Sequence, residues 1–459
     1  MNTDATNVNG PLTVRCLEHL ATAEVDTADL IALIRASEHL VASYGDRYVT
    51  RPALLEADRV RGLQSDLSRL FALLASLPQR LFGGDLRAIG HAAGMIPYQI
   101  DAVERTAQDV PTCLGRADLY GEADGFRLLE FNIVSAVGGL ENAELNRVLL
   151  RHPALAAFVA ETGLQYVDTL ARIADVIKAE CERTNAGSVP VVAIVDTPSN
   201  FAPFAERFKF MADIWSGMGL DGIACSLDRF DVRSGRLFAE GRYIDVVYRY
   251  FLMEDLLDPD SQAMIEPVLR AAEKGNVALL SRMDAELYGS KAMMALLSDD
   301  ANRSVFTADE AELIDRILPW TRMLRAGPVT ADGGPVDLMD YAQASQSALV
   351  LKPTLLHGGI GVVPGWTASP EQWREYLLAC SGGPYVLQRR VRPVTESFPV
   401  AGRPGAVEPL ALNWGVFMIG DEYAGTLIRG AADPDVGVLS RATGARVGCC
   451  FHKPGSEPI

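Results

Sequence analysis

Apolar side chains between residues 28 and 109 recur at steps of three and four: Leu30, Ile31, Leu33 and Ile34, then Leu63, Leu67, Leu70, Leu73 and Leu74. That period puts them on one face of a helix, and the stretch is predicted to be helical with breaks at Gly83-Gly84 and Pro97. After Pro111 the pattern shortens. Two β-rich runs, Leu114 to Tyr120 and Phe126 to Asn132, flank Gly121-Glu122-Ala123-Asp124-Gly125 and predict a hairpin. Helical periodicity returns over Gly139 to Leu150 and Thr162 to Glu182. The apolar run Val189 to Val195 has no polar face and predicts a strand of a parallel sheet, buried on both sides. Helical stretches at 203–217 and 261–273 alternate with strand-like stretches at 222–226, 243–249 and 276–281, the order of an α/β unit. Within it, Arg249 stands among apolar neighbours. In the last third, Leu349 to Pro353, Tyr385 to Val391, Leu412 to Met418 and Gly425 to Arg429 read as strands of a mixed or antiparallel sheet, with Pro404-Gly405 and Lys453 to Ile459 as loops.

With 459 residues the chain exceeds one average domain, so two or three are expected. Its 49% hydrophobic and 22% charged residues mark it as globular rather than disordered. A formal charge of −17 argues against a nucleic-acid partner, while leaving room for a locally basic pocket. No apolar stretch is long enough to span a bilayer, and the segment from Met1-Asn2-Thr3-Asp4 lacks a basic start followed by an apolar block. A soluble, unprocessed protein with no membrane partner is expected. Seven cysteines, at 16, 113, 181, 225, 380, 449 and 450, form no C-x-x-C pair. They predict a reduced, cytoplasmic setting and no zinc site, with Cys449 and Cys450 as buried small residues in a strand.

If the hairpin closes around Asp124, Asp118 faces Glu130 and Arg116 faces Asn132, with all four side chains on one face. Two carboxylates directly across a strand pair repel, so a cation is expected between them. Mg²⁺ suits the place, because it takes oxygen ligands and commonly one or two carboxylates plus phosphate and water. Arg116 would cover the negative charge left over. Leu129 and Phe131 are expected to pack inward from the other face. The alternative is that Asp118 pairs with Arg116 or Arg127 on a solvated face. Beyond the hairpin, Ser135-Ala136-Val137-Gly138-Gly139 leads toward Glu141, Glu144 and Asn146, either as an anion-binding helix start or as an ordinary one.

A second constellation begins at the apolar strand Ala348 to Pro353, which carries Lys352 and runs into Thr354 to Val362 with Gly358, Gly359 and Gly361. Such glycines bring backbone amides close to phosphates, and the lysine can reach the same oxygens. The chain has no G-x-x-x-x-G-K-[ST], and no G-x-G-x-x-G follows Val189 to Val195, which disfavours the P-loop and dinucleotide-binding readings. Gln388, in the run Tyr385 to Val391, lies on either an adenine-facing hinge or a plain strand. Lys291 opens a helical run, where the helix dipole disfavours a cation unless an anion is near.

Taken in order, Arg116-Ala117-Asp118, Glu130-Phe131-Asn132, Ile244 to Arg249, Lys291-Ala292, Leu351-Lys352-Pro353 with Gly358-Gly359-Ile360-Gly361, Gln388, and Gly425 to Arg429 resemble a circularly permuted ATP-grasp enzyme. The pattern is similar to the synthetase domain of glutathionylspermidine synthase and to related carboxylate–amine ligases. The resemblance implies an α/β fold of the ATP-grasp kind with α+β elements. Its expected parts are a helical N-terminal region (1–110), a metal-binding hairpin with helices (111–185), a parallel α/β subdomain (186–285) and a lysine, glycine-loop and sheet region (286–459). It further implies ATP and Mg²⁺, with Asp118, Glu130 and Asn132 as metal ligands and Arg116 as the catalytic contact to the phosphate and acyl phosphate. Lys291, Lys352, Gly358, Gly359, Gly361, Gln388 and Arg429 would contact the nucleotide, and Ser135 the substrate. The permutation is the order itself, metal residues before lysines. The implied reaction activates a small-molecule carboxylate as an acyl phosphate and joins it to an amine, with amino acids or peptides as partners and ADP as product. A thiol acceptor such as the phosphopantetheine arm of a carrier protein, and a nucleotide-binding scaffold without catalysis, are the alternatives. Ile133 to Gly139 departs from the Ala-Asp-Thr-Pro of glutathionylspermidine synthase, so the substrates of that enzyme are not carried over.

Overall fold

The leucine repeat becomes one face of the helix Ala57–Phe82, where Val60, Leu63, Leu67, Leu70, Leu73, Leu74 and Leu77 are buried. Gly83 ends it in the left-handed region, at φ 60°, a conformation glycine adopts without steric cost. The structure, a computed structural model, describes residues 6–108, 111, 113–123, 125–183, 189–440 and 443–455, with the side chains of 182 and 183 undescribed. Asp124, around which the hairpin is expected to close, Met1 to Asp4 and the tail past residue 455 lie outside the described residues. The N-terminal region holds the helices Pro11–Thr22, Thr27–Arg35, Glu38–Tyr44, Ala57–Phe82, Leu86–Ala93 and Pro97–Thr106. The first precedes the predicted helical stretch. A strand, Ala53–Leu55, interrupts that stretch; buried at all three positions, it shows no alternation that a pattern could reveal.

This short strand runs parallel to Cys450–His452 at the edge of a seven-stranded sheet. The order across that sheet is Ala53–Leu55, Arg446–His452, Glu422–Ala431, Val407–Ile419, Leu114–Gly121 and Phe126–Ile133, with Thr395–Pro399 also paired to Val407–Ile419. All the other pairings are antiparallel. A second sheet is parallel throughout, in the order Ala278–Leu280, Val246–Arg249, Val191–Asp196 and Asp221–Ser226. Val192 to Val195 are fully buried there, as an apolar strand covered on both faces should be. A third, antiparallel sheet joins Thr321–Met323, Tyr385–Arg389, Leu349–Pro353 and Val363–Pro364. It has its own apolar core, in which Leu349, Leu351 and Leu387 meet Leu338, Trp373 and Leu377 of the helices Leu338–Ala344 and Pro370–Cys380. The architecture is mixed α/β.

The helical stretch predicted from Thr162 to Glu182 starts later, as the helix Thr169–Arg183, and an unpredicted helix, Pro153–Thr162, comes before it; Gly163, at φ 62°, ends that one, and Gln165 bridges to His452 in between. Arg249 is fully buried, and its guanidinium donates to the carbonyls of Ser281 (2.6 Å), Phe251 (2.7 Å) and Arg282 (3.0 Å) and to Glu286 (2.7 Å). It therefore ties together the ends of neighbouring parallel strands, with its charge paired and its hydrogen-bond donors used. Among the described residues no helix is long and apolar enough to cross a membrane.

Asp196 ends one of the two inner strands of the parallel sheet. Burial, opposed by a hydrogen bond from Thr197 N and reinforced by Asp255, pushes its carboxyl up to about 7. A carboxyl raised on folding takes up a proton as the chain folds, so its contribution to stability falls as pH rises from the unfolded value toward 7. Asp196→Asn should abolish that fall and stabilise the protein at alkaline pH by on the order of 2 kcal/mol. Urea titrations of both proteins across the window check this, and identical pH profiles would refute it.

Candidate active site

The hairpin adopts the expected register at its base: Arg116 faces Asn132 and Asp118 faces Glu130. Past Asp118 the pairing slips by one, Leu119 facing Leu128, and Leu129 is the extra residue of a β-bulge. The bulge corrects one expectation. Phe131 packs into the core, but Leu129 turns to the same cavity as Glu130. That cavity, about 430 Å³, is also lined by Arg116, Asp118 and Asn132.

Asp118 is buried and held by two guanidiniums. Arg116 donates to both of its oxygens, through Nε to Oδ1 (2.7 Å) and Nη2 to Oδ2 (3.1 Å), and Arg429 Nη2 shares Oδ2 at 2.8 Å. Arg116 Nη1 continues to the carbonyl of Gly138 at 2.6 Å, and Arg429 Nη2 to Asn413 Oδ1 at 3.1 Å. The solvated-face alternative is thus revised: Asp118 does pair with Arg116, but inside the molecule. Gly415 faces Asp118 on the adjacent strand, and a Cβ there would lie 2.9 Å from Arg116 Cδ. The bare backbone at this position is what lets the Arg116 stem lie flat.

Glu130 answers to lysines instead. Lys291 Nζ stands 3.1 Å from its Oε2, and the amide of Asn132 donates to Oε1 at 3.3 Å. Burial alone would raise the Glu130 carboxyl, but Lys291 and Lys352 hold it well below the usual carboxylate range. The anion that a lysine at a helix start requires is therefore Glu130; the helix Lys291–Ser298 is capped by Ser290. Lys352 Nζ donates to Gln388 Oε1 at 2.6 Å and to the Leu129 carbonyl at 3.1 Å. Its burial, opposed by Glu130 and assisted by Lys291, pulls it down to about 8. Gln388 Nε2 in turn donates to Thr321 Oγ1 at 3.2 Å, which fixes the orientation of its amide.

Gly358 and Gly359, both with positive φ, line the cavity beside His357, and Ile360 projects outward at 61% exposure. Gly361 does not line it; a Cβ there would press on Pro353 at 3.3 Å, so it turns the loop back onto its strand. Ser135 is not brought to the cavity either. It is fully buried, its hydroxyl donating to the Arg249 carbonyl at 2.7 Å and accepting from Ser281 N at 2.9 Å. Its place is in the strand junction around Arg249. Sequence reading missed Tyr44, Arg207, Asn413, Trp366 and the segment Gly437 to Ser440, all of which line the cavity. None of them carries a local motif; only the fold assembles them. Among the described residues Arg116, Arg207, Lys352, Arg389 and Arg429 line the cavity against two carboxylates, Asp118 and Glu130, so the place is locally cationic in an acidic protein; Lys291 does not line it and reaches it only through Glu130. Among the described residues no three His, Cys, Asp or Glu side chains group to hold a metal; the candidate donors are two carboxylates and an amide.

No family model matches the chain, and no curated protein matches it. Solved structures do. A glutathione synthetase-like effector from Globodera pallida, in its apo form, superposes with a TM-score of 0.52 over 96% of this chain and 94% of its own, at 13% identity. A candidate gamma-glutamylcysteine synthetase from Methylobacillus flagellatus aligns over 83% of this chain and 88% of its own, with a TM-score of 0.41 and 11% identity. The first likeness shows a glutathione synthetase-like fold.

Gly415→Ala should force Arg116 off Asp118 and destabilise the protein by about 1–3 kcal/mol, read by urea titration, with a crystal structure of the variant locating the guanidinium. Wild-type stability and an unmoved Arg116 would contradict the packing argument.

Proposed function

We propose that the protein is an ATP- and Mg²⁺-dependent carboxylate–amine ligase of circularly permuted ATP-grasp type, forming an amide or peptide bond and releasing ADP and phosphate. The observation that carries this reading is the convergence on one cavity of the Arg116–Asp118–Arg429 clasp, Glu130 backed by Lys291, and the Lys352–Gln388 pair. The first likeness supports it at the level of fold. In this reading the central sheet and the sheet of residues 321–389 clasp the nucleotide, the unit at 186–285 carries loops that choose substrates, and the metal-side residues precede the lysines in the chain.

The donor set suits a hard cation. Glu130 and Asn132 would hold Mg²⁺, with Asp118, whose oxygens are engaged by guanidiniums, as the third candidate; when bound, the ion supplies charge neutralisation across the phosphates. The chain's own residues do the rest. Lys291 and Lys352 hold phosphate oxygens, and Arg116 and Arg429 receive the charge that builds on the transferred group. Leu129, Val350, Val391 and Leu439 give a flat purine apolar walls, with Gln388 fixed beside it. A substrate carboxylate oxygen attacks the γ-phosphorus and ADP leaves. The amine nitrogen then attacks the acyl carbon, the C–O bond to phosphate breaks, and the amine proton is released. Gly358, Gly359 and Ile360 close over the site against water, which would otherwise hydrolyse the acyl phosphate.

ADP and phosphate release should require a carboxylate and an amine together. Glu130→Gln and Arg116→Lys should each lower it by about 100-fold with an unchanged far-UV circular dichroism spectrum. AMP and pyrophosphate as products, or full turnover in both variants, would overturn the assignment.

A further inference from the structure

The roles above leave part of the cavity wall unused. Tyr44, at the end of the helix Glu38–Tyr44, is buried and lines the cavity, yet its hydroxyl has no hydrogen-bond partner. A buried hydroxyl left unsatisfied costs about 1–3 kcal/mol, which a bound acceptor would recover. Burial, with Glu141 close by, keeps that hydroxyl neutral and able to donate. Arg207, on the helix Ala205–Gly217, lines the same cavity. Its Nε and Nη2 are held by the buried Glu141, the Nη2 bond being 3.1 Å, and its guanidinium lies 5.7 Å from the Tyr250 ring. Although burial would raise the Glu141 carboxyl, Arg207 holds it below its ordinary range, so the pair is charged. His39 stacks on Phe210 at 4.2 Å between ring centres, which locks the two helices together.

A guanidinium clamped on one edge by a carboxylate, next to a neutral hydroxyl without a partner, has the chemistry to receive a carboxylate. The surrounding wall is apolar: Val137, Leu427 and Val447. Gly138 belongs to it as well, and its carbonyl holds Arg116. We propose that Tyr44 and Arg207 bind the α-carboxylate of an acceptor amino acid with an apolar side chain, presenting its amine toward Arg116. That carboxylate stays unreacted; only the amine enters the new bond. The inference rests on the ligase reading and adds to it the substrate class and a task for the N-terminal helices. Glu141 is a positioning residue, acting through Arg207.

The test is a thermal-shift and calorimetric titration of the full chain with the standard L-amino acids and their C-terminal amides, each with and without an unreactive ATP analogue. Apolar L-amino acids should bind and their amides should not. Tyr44→Phe, which keeps the packing, and Arg207→Lys, which keeps the charge beside Glu141, should each weaken amino-acid binding by about tenfold and leave the affinity for the analogue unchanged. Equal binding of acids and amides, wild-type affinity in both variants, or no binding of any amino acid would overturn the subsite. Amino-acid binding that is sensitive to both variants in a protein that ignores the nucleotide would support the subsite and overturn the ligase reading.

Discussion

A carboxylate as buried as Asp118 can stay charged only with opposite charge packed around it, and that requirement organises the centre of the molecule. One guanidinium comes from its own strand, two residues away, and the other from a strand beyond the next. Gly415, on the strand between, must stay without a side chain for the arrangement to close. The same logic repeats at Glu130, whose partners are lysines from a helix start and from the third sheet. Cations are thereby fixed in place before any ligand arrives. Preorganised charge of this kind needs no rearrangement when a polyanion binds or when charge builds during phosphoryl transfer.

What the sequence revealed follows from locality. The hairpin register was readable because polar and apolar residues alternate over Arg116 to Leu119 and Leu129 to Asn132 and the turn lies close at hand; the bulge at Leu129 breaks that alternation at Leu128-Leu129, a mark too short to tell from an ordinary apolar pair. The buried parallel strand at Val192 to Val195 was readable from its lack of a polar face. Ser135 was misplaced because its partners, Arg249 and Ser281, lie more than 100 residues away. Arg207 and Tyr44 were invisible for the same reason. An arginine between Glu206 and Phe208 reads as helix surface until another helix covers it.

Net charge behaved likewise. A surplus of 59 acidic over 42 basic residues correctly describes the far field of the protein and says nothing of a cavity where cations outnumber carboxylates. Surface carboxylates repel a polyanion at long range, while short-range interactions inside a low-dielectric pocket decide its binding. The two statements refer to different distances, and added salt weakens the first more than the second.

The edge pairing of Ala53–Leu55 with Cys450–His452 has a temporal side. About 400 residues of synthesis separate the partners, so the central sheet cannot be completed until His452 has left the ribosome. The parallel sheet, confined to residues 191–280, is free to form first. Until then the strands at 114–133 wait with one edge open, the state in which strands are most prone to pair with the wrong chain. The clasp around Asp118, which needs Arg429, therefore also has to wait for a residue synthesised more than 300 positions later.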